Sequence, residues 1–126
     1  MKNDYNVWKL FGAYMLILLF MIMSSSATGQ TLNVGDNLTV VHFNAGWNGA
    51  NDVKWVGDLS DCKVKKCDIA TDAVAQKKYE IVVVPTIIIF NGGEEVKRYQ
   101  ADISFTMKAT KEEVQDKIDE IIMDSF

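Results

Sequence analysis

The hydrophobic positions of this 126-residue chain form one long block, followed by several short ones. The block is Phe11 to Met23, FGAYMLILLFMIM, an unbroken apolar run of 13 residues. Lys2 and Lys9 precede it, and Ser24-Ser25-Ser26-Ala27-Thr28-Gly29 follows. A basic start, a short apolar run and a small-residue flank are the three parts of a secretory signal peptide. A spanning helix needs ~20 residues, so cleavage is expected, after Ala27 or after Gly29. The alternative is a short membrane anchor, because Tyr5 to Trp8 adds apolar length. No Cys follows the run, so no lipoprotein attachment is expected. The predicted organisation is a leader over 1–29, a linker over 30–37 and one folded domain over 38–126. The implied location is periplasmic or secreted, with membrane contact only if residues 1–29 are retained.

After the leader the periodicity alternates between two and 3.6. Leu32 to Val34 reads as a short edge strand before the Gly35-Asp36-Asn37 turn. Leu38 to Phe43, LTVVHF, is β-branched and almost continuously apolar, as in a strand buried on both faces. Asp52 to Leu59 places Val53, Trp55, Val56 and Leu59 at helical spacing, predicting a helix of about two turns. Cys62 to Ile69 reads as a strand and Thr71 to Tyr79 as a helix. Ile81 to Phe90, IVVVPTIIIF, is interrupted by Pro85, which cannot donate to a ladder, so the strand starts at Thr86. Asn91-Gly92-Gly93 predicts a hairpin turn, with Glu95 to Gln100 returning antiparallel. A loop over Ala101 to Ala109 leads to a last helix. That helix opens with Thr110 and Glu113 in capping-box spacing and carries Val114, Ile118, Ile121 and Ile122 as one apolar stripe. This order predicts an α/β fold, a mixed sheet with helices on both faces.

Composition narrows the function classes. The chain is 48% hydrophobic and 24% charged, with a net charge of −4. Without Lys2, Lys9 and Asp4 the remainder has 11 basic and 16 acidic residues, a formal charge of −5. An acidic domain with no long basic run argues against a nucleic-acid partner. One His excludes multi-His metal sites, and two Cys are too few for a disulfide scaffold. No cofactor is expected. Asn37-Leu38-Thr39 matches a glycosylation acceptor and is read as a chance match.

Three segments resemble the thioredoxin family. Tyr79-Glu80-Ile81-Val82-Val83-Val84-Pro85-Thr86 is similar to the family's "KYGVxxVPT" segment, whose proline follows a cis peptide bond. Phe90-Asn91-Gly92-Gly93 is similar to the "FxxG" hairpin. Val41-His42-Phe43-Asn44-Ala45-Gly46-Trp47 is similar to the "VDFxAxW" strand before the active site. The resemblance covers Leu38 to Ile122 and implies a thioredoxin-like fold with a shortened first helix. The family's W-C-G-P-C motif reads Trp47-Asn48-Gly49-Ala50-Asn51 here. Thiol–disulfide exchange needs an attacking and a resolving thiol, and a carboxamide supplies neither. His42 stands where the family has a buried Asp, and Lys66 where it often has a Lys.

The resemblance also implies a groove for an extended peptide beside the proline, lined by Trp47, Asn48, Gly49, Val84, Pro85 and Thr86. Its partner would be a protein or peptide paired by strand addition. Asn is a good N-cap. Asn51 is therefore read as a structural cap or loop polar, while Asn48 is equally that or a ligand contact. Trp47 and Trp55 read as core, although Trp47 borders the groove. Cys62 and Cys67 form a candidate redox pair only if their segment is not a strand. Within a strand they stand about 16 Å apart at ~3.3 Å per residue and point to opposite faces, whereas a disulfide needs less than ~7 Å. The competing functions are a peptide-binding module, an enzyme using these thiols or His42, and a structural subunit of a larger envelope assembly.

Overall fold

The computed structural model describes residues 32–126. The expected leader over 1–29 lies outside the described residues, as do linker residues 30 and 31. The elements run β1 (Thr39–Asn44), two 3-10 helices (Gly46–Asn51 and Lys54–Asp58), β2 (Lys63–Asp68), α1 (Ala73–Lys78), β3 (Thr86–Asn91), β4 (Glu94–Gln100) and α2 (Lys111–Asp124). The four strands form one sheet in the order β2-β1-β3-β4. β1 and β2 are parallel, while β3 is antiparallel to both β1 and β4.

The apolar pattern dictates this order. Every residue of β1 is buried, as is all of β3 up to Phe90, so these two strands take the centre. The lysine-rich β2 and the exposed β4 take the edges, where charge discourages further pairing. Alternation divides the core between the two faces of the sheet. Val41, Phe43, Ile88 and Phe90 point to one face, with Ala75 of α1, Ile81 and Val84. The Tyr79 ring lies 5.8 Å from Phe43 and 5.2 Å from Phe90 there. Val40, Ile87 and Ile89 point to the other face, against Val53, Val56, Val114 and Ile118. Helices on both faces are thus present as the sequence predicts.

Local chemistry sets the element ends. Thr110 accepts from the Glu113 amide at 3.2 Å and the Glu113 carboxylate accepts from the Thr110 amide at 3.4 Å, completing the capping box of α2. Gly92 and Gly93, at φ of 64° and 85°, make the two-residue hairpin turn. The Val84–Pro85 bond is cis.

Two predicted elements differ. Leu32 to Val34 forms no strand, although Val34 is buried and Leu32 packs on the core. Its polar groups go elsewhere: the Asn33 side chain accepts from the Gly35 amide, and its backbone carbonyl accepts from Lys65 Nζ. The predicted helix over Asp52 to Leu59 is a 3-10 turn over Lys54–Asp58. The Val53 backbone is extended at φ −87° and ψ 95°. A helix can begin only after it, and the Val56 and Leu59 amides then bond carbonyls three residues back, at 3.4 and 3.2 Å, which closes a 3-10 turn. The first helix, expected to be shortened, is thus replaced by two 3-10 turns.

Arg98 on β4 ties the hairpin to the end of α1. Its Nη1 donates to the Glu80 carbonyl at 2.9 Å and its Nη2 to the Tyr79 carbonyl at 2.6 Å, while Glu95 holds the same guanidinium at 2.8 Å. Glu80 sits at φ 52°, so a cation closes a helix end made without glycine. Arg98→Met keeps the aliphatic stem and removes these bonds. It is expected to lower unfolding free energy by about 1–3 kcal/mol, read as a lower urea midpoint at unchanged slope.

Candidate functional site

Register places the site. Phe43 pairs with Thr86, and Thr86 with Gln100. The loop leaving β1 at Asn44, the cis proline entering β3 and the loop leaving β4 therefore lie at one end of the sheet. The carboxyl end of β2 joins them, since the Ile69 amide donates to the Asn44 carbonyl at 2.9 Å. The Ala101 amide donates to the Pro85 carbonyl at 3.0 Å.

The Trp47–Asn51 turn is built from carboxamides. Asn44 Nδ2 donates to the Asn48 carbonyl at 3.1 Å and to Asp52 Oδ1. Asn48 Nδ2 donates to Asn44 Oδ1 at 3.1 Å and to the Phe105 carbonyl at 3.5 Å. Asn51 Nδ2 donates to Asn48 Oδ1 at 2.9 Å. Neither Asn48 nor Asn51 is an N-cap: Ala45 and Val53 occupy those positions, without side-chain capping bonds. Both carboxamides instead serve as loop polars, bonded within the turn and to the 101–109 loop. Asn48 is only 6% exposed, which turns its side chain into the fold.

The other groove residues divide by exposure. Val84, Pro85 and Thr86 are buried, and Thr86 Oγ1 donates to the Val83 carbonyl at 2.6 Å. Gly49 is exposed with open space around its Cα. Trp47 is 65% exposed, which corrects its expected place in the core. Its ring meets the Phe105 edge at 5.5 Å and 89°. Trp55 is half-buried against the α2-side core. Phe105 was not legible as a site residue, although it is the lone aromatic of the 101–109 loop. The spacing of Asn44, Asn48 and Asn51 by four and three was a readable sign that they share one face of a helical turn.

A relative makes this likeness one of descent. The chain is 32% identical over 83 residues to thioredoxin-2 of Saccharomyces cerevisiae, spanning 61% of this chain and 80% of that protein. The chain belongs to the thioredoxin family. No family model matches it. Solved thioredoxin structures agree with the fold. A mutant thioredoxin of Halobacterium salinarum superposes with a TM-score of 0.53 at 21% identity, covering 68% of this chain and 74% of that one. Reduced thioredoxin of Schistosoma mansoni gives 0.52 at 26% identity, covering 68% and 79%.

In this thioredoxin-family chain Cys67 lines the cavity beneath the turn together with His42, Gly46 and Gly49, whereas Cys62 lies on the other face of the sheet. Both are free thiols. Cys67 packs in the core on the α1 side and Cys62 against the core on the α2 side, so the sheet separates them. Burial, together with Asp72 at 3.8 Å from Sγ, pushes the Cys67 thiol up to about 12. Burial and Asp61 also raise Cys62. Neither environment favours a thiolate.

His42 lies under the turn, 2% exposed, beside a cavity of about 170 Å³ that Asp52, Lys66 and Asp68 also line. Among the described residues, no group of three or more His, Cys, Asp or Glu side chains is arranged to hold a metal. Burial lowers the imidazole from 6.5; Asp52 raises it in part and Lys66 lowers it further. A protonated Nε2 would also face the Val53 N–H, 3.5 Å away, donor to donor. The unfolded chain thus binds this proton more readily, and stability rises with pH across the interval between the folded value and 6.5. The urea midpoint is expected to fall as pH drops below 6.5 and to level off below the folded value. His42→Asn should flatten that part of the profile.

Proposed function

We propose that this thioredoxin-family protein is exported, carries out no dithiol–disulfide exchange, and binds an extended peptide or protein segment at the Trp47 end of the sheet. The single observation that carries the binding reading is Trp47. Trp47 is 65% exposed at the converging loops and meets the edge of Phe105, itself 40% exposed, so the two form one joined aromatic surface rather than a single scattered side chain. Gly49 is exposed with open space at its Cα two residues on, and the cis Val84–Pro85 bond lies at the same end of the sheet. Loss of a covalent step leaves such a contact intact, because docking draws on apolar area and backbone pairing rather than on sulfur.

The absence of exchange rests on electronic grounds. An Asn carboxamide has no accessible redox couple and is no nucleophile at neutral pH. The two thiols present are on opposite faces with raised pKa values. Export rests on the layout of residues 1–29.

Two measurements test this reading. The full chain should show no insulin-reduction turnover. It should bind reduced, carboxymethylated insulin B chain, an extended and thiol-free probe, with Trp47→Ala and Gly49→Glu each weakening binding at least about tenfold. Thiol-dependent turnover, or binding unchanged by both substitutions, would overturn it. The export part predicts that intact mass of the protein recovered outside the cytoplasm lacks residues 1–27 or 1–29; full-length chain in the cytosol alone would refute it.

A further inference from the structure

We propose that the Ala101–Ala109 loop is a strap seated in this groove, with Phe105 on Trp47 where a partner segment would lie, so that binding requires Phe105 to leave. The inference rests on the groove reading above and adds its regulation.

The strap is fixed on both sides of the groove. At its start the Ala101 amide holds the Pro85 carbonyl at 3.0 Å. At its tip the Phe105 ring stands edge-on to Trp47 at 5.5 Å, and the Phe105 carbonyl accepts from Asn48 Nδ2 at 3.5 Å. Between these points Asp102 organises the turn. Its carboxylate accepts from the Ser104 amide at 2.8 Å and from the Ser104 hydroxyl, and it faces Lys108 at 3.4 Å. The Phe105 amide donates to the Asp102 carbonyl at 3.0 Å.

The closed contact is shallow and carries strain, as expected of one made to open. Phe105 adopts φ 62°, a left-handed backbone that disfavours bulky side chains. The ring still remains 40% exposed, and the neighbouring Ile103 is 98% exposed. An ordinary connecting loop has no need of a strained aromatic that buries so little. A partner segment laid on Trp47 replaces the Phe105 edge with its own side chain and relieves that backbone. Closure then lowers apparent affinity by the fraction of molecules that stay open.

The experiment compares the full chain with its Phe105→Ala variant, using the same carboxymethylated insulin B chain. Trp47 is followed by acrylamide quenching in a Trp8→Phe, Trp55→Phe background. Loss of one edge-to-face pair predicts about two- to twelvefold tighter probe binding. It also predicts greater quenching of Trp47, with a slightly lower urea midpoint, since the lost pair also stabilises the folded state. Phe105→Leu, which keeps an apolar cover without the aromatic edge, should fall between. Equal or weaker binding by Phe105→Ala overturns the strap while the groove stands, provided Trp47→Ala still abolishes binding. No binding by either form overturns the groove, and the strap with it.

Discussion

The pairing of β1 with β3 is the constraint on which the rest depends. Both strands are buried on both faces, so their register cannot slip by one residue without turning each core side chain to the wrong layer. Phe43 and Phe90 would leave the Tyr79 cluster, and Ile87 and Ile89 would leave α2. That locked register sets Phe43 opposite Thr86. It therefore fixes where the chain must turn after Asn44, and where Pro85 must stand. The site at this end of the sheet is a consequence of core packing rather than of any loop's preference.

Within that frame, the turn has exchanged one kind of cohesion for another. A dithiol motif can alternate between two covalent states. The Asn44, Asn48 and Asn51 carboxamides, joined by Asp52, hold one arrangement of donors and acceptors. Buried amides left unpaired would each cost about 1–3 kcal/mol, so such a network favours completeness. Asn48 meets this condition partly by reaching out of the turn, to the Phe105 carbonyl. The carboxamides thus couple the turn to the Ala101–Ala109 loop.

The sheet was legible because its signals are local and redundant. LTVVHF and TIIIF are long β-branched runs, Gly92-Gly93 marks one turn, and Thr110 with Glu113 marks one helix start. The 47–51 turn and the proline were legible through resemblance. What the sequence hid depends on contacts distant along the chain. Val53, Trp55 and Val56 carry a helical spacing, but the Val53 backbone is extended and its side chain packs into the α2-side core with Ile87 and Ile89, contacts distant along the chain. Leu32 and Val34 have strand-like alternation, yet their apolar side chains pack while Asn33 is drawn into turn and lysine contacts. Trp47 reads as core by type and is exposed, because the turn that carries it is held from below by Asn48 rather than by its indole.

Exposure of that indole is what separates recognition from chemistry in this fold. In dithiol exchange, docking positions a disulfide and the thiolate then attacks it. The second step is electronic and disappears outright when sulfur becomes carboxamide. The first step draws on apolar contact and backbone geometry, and the features the proposed groove would use are Trp47 in solvent, open space at Gly49 and the cis Val84–Pro85 bond at the same end of the sheet. Burial and neighbouring carboxylates disfavour a thiolate at both remaining cysteines. On the reading proposed above, a surface retained without its reaction acts by occupancy, and Phe105, edge-on to Trp47 at 5.5 Å, competes for that contact.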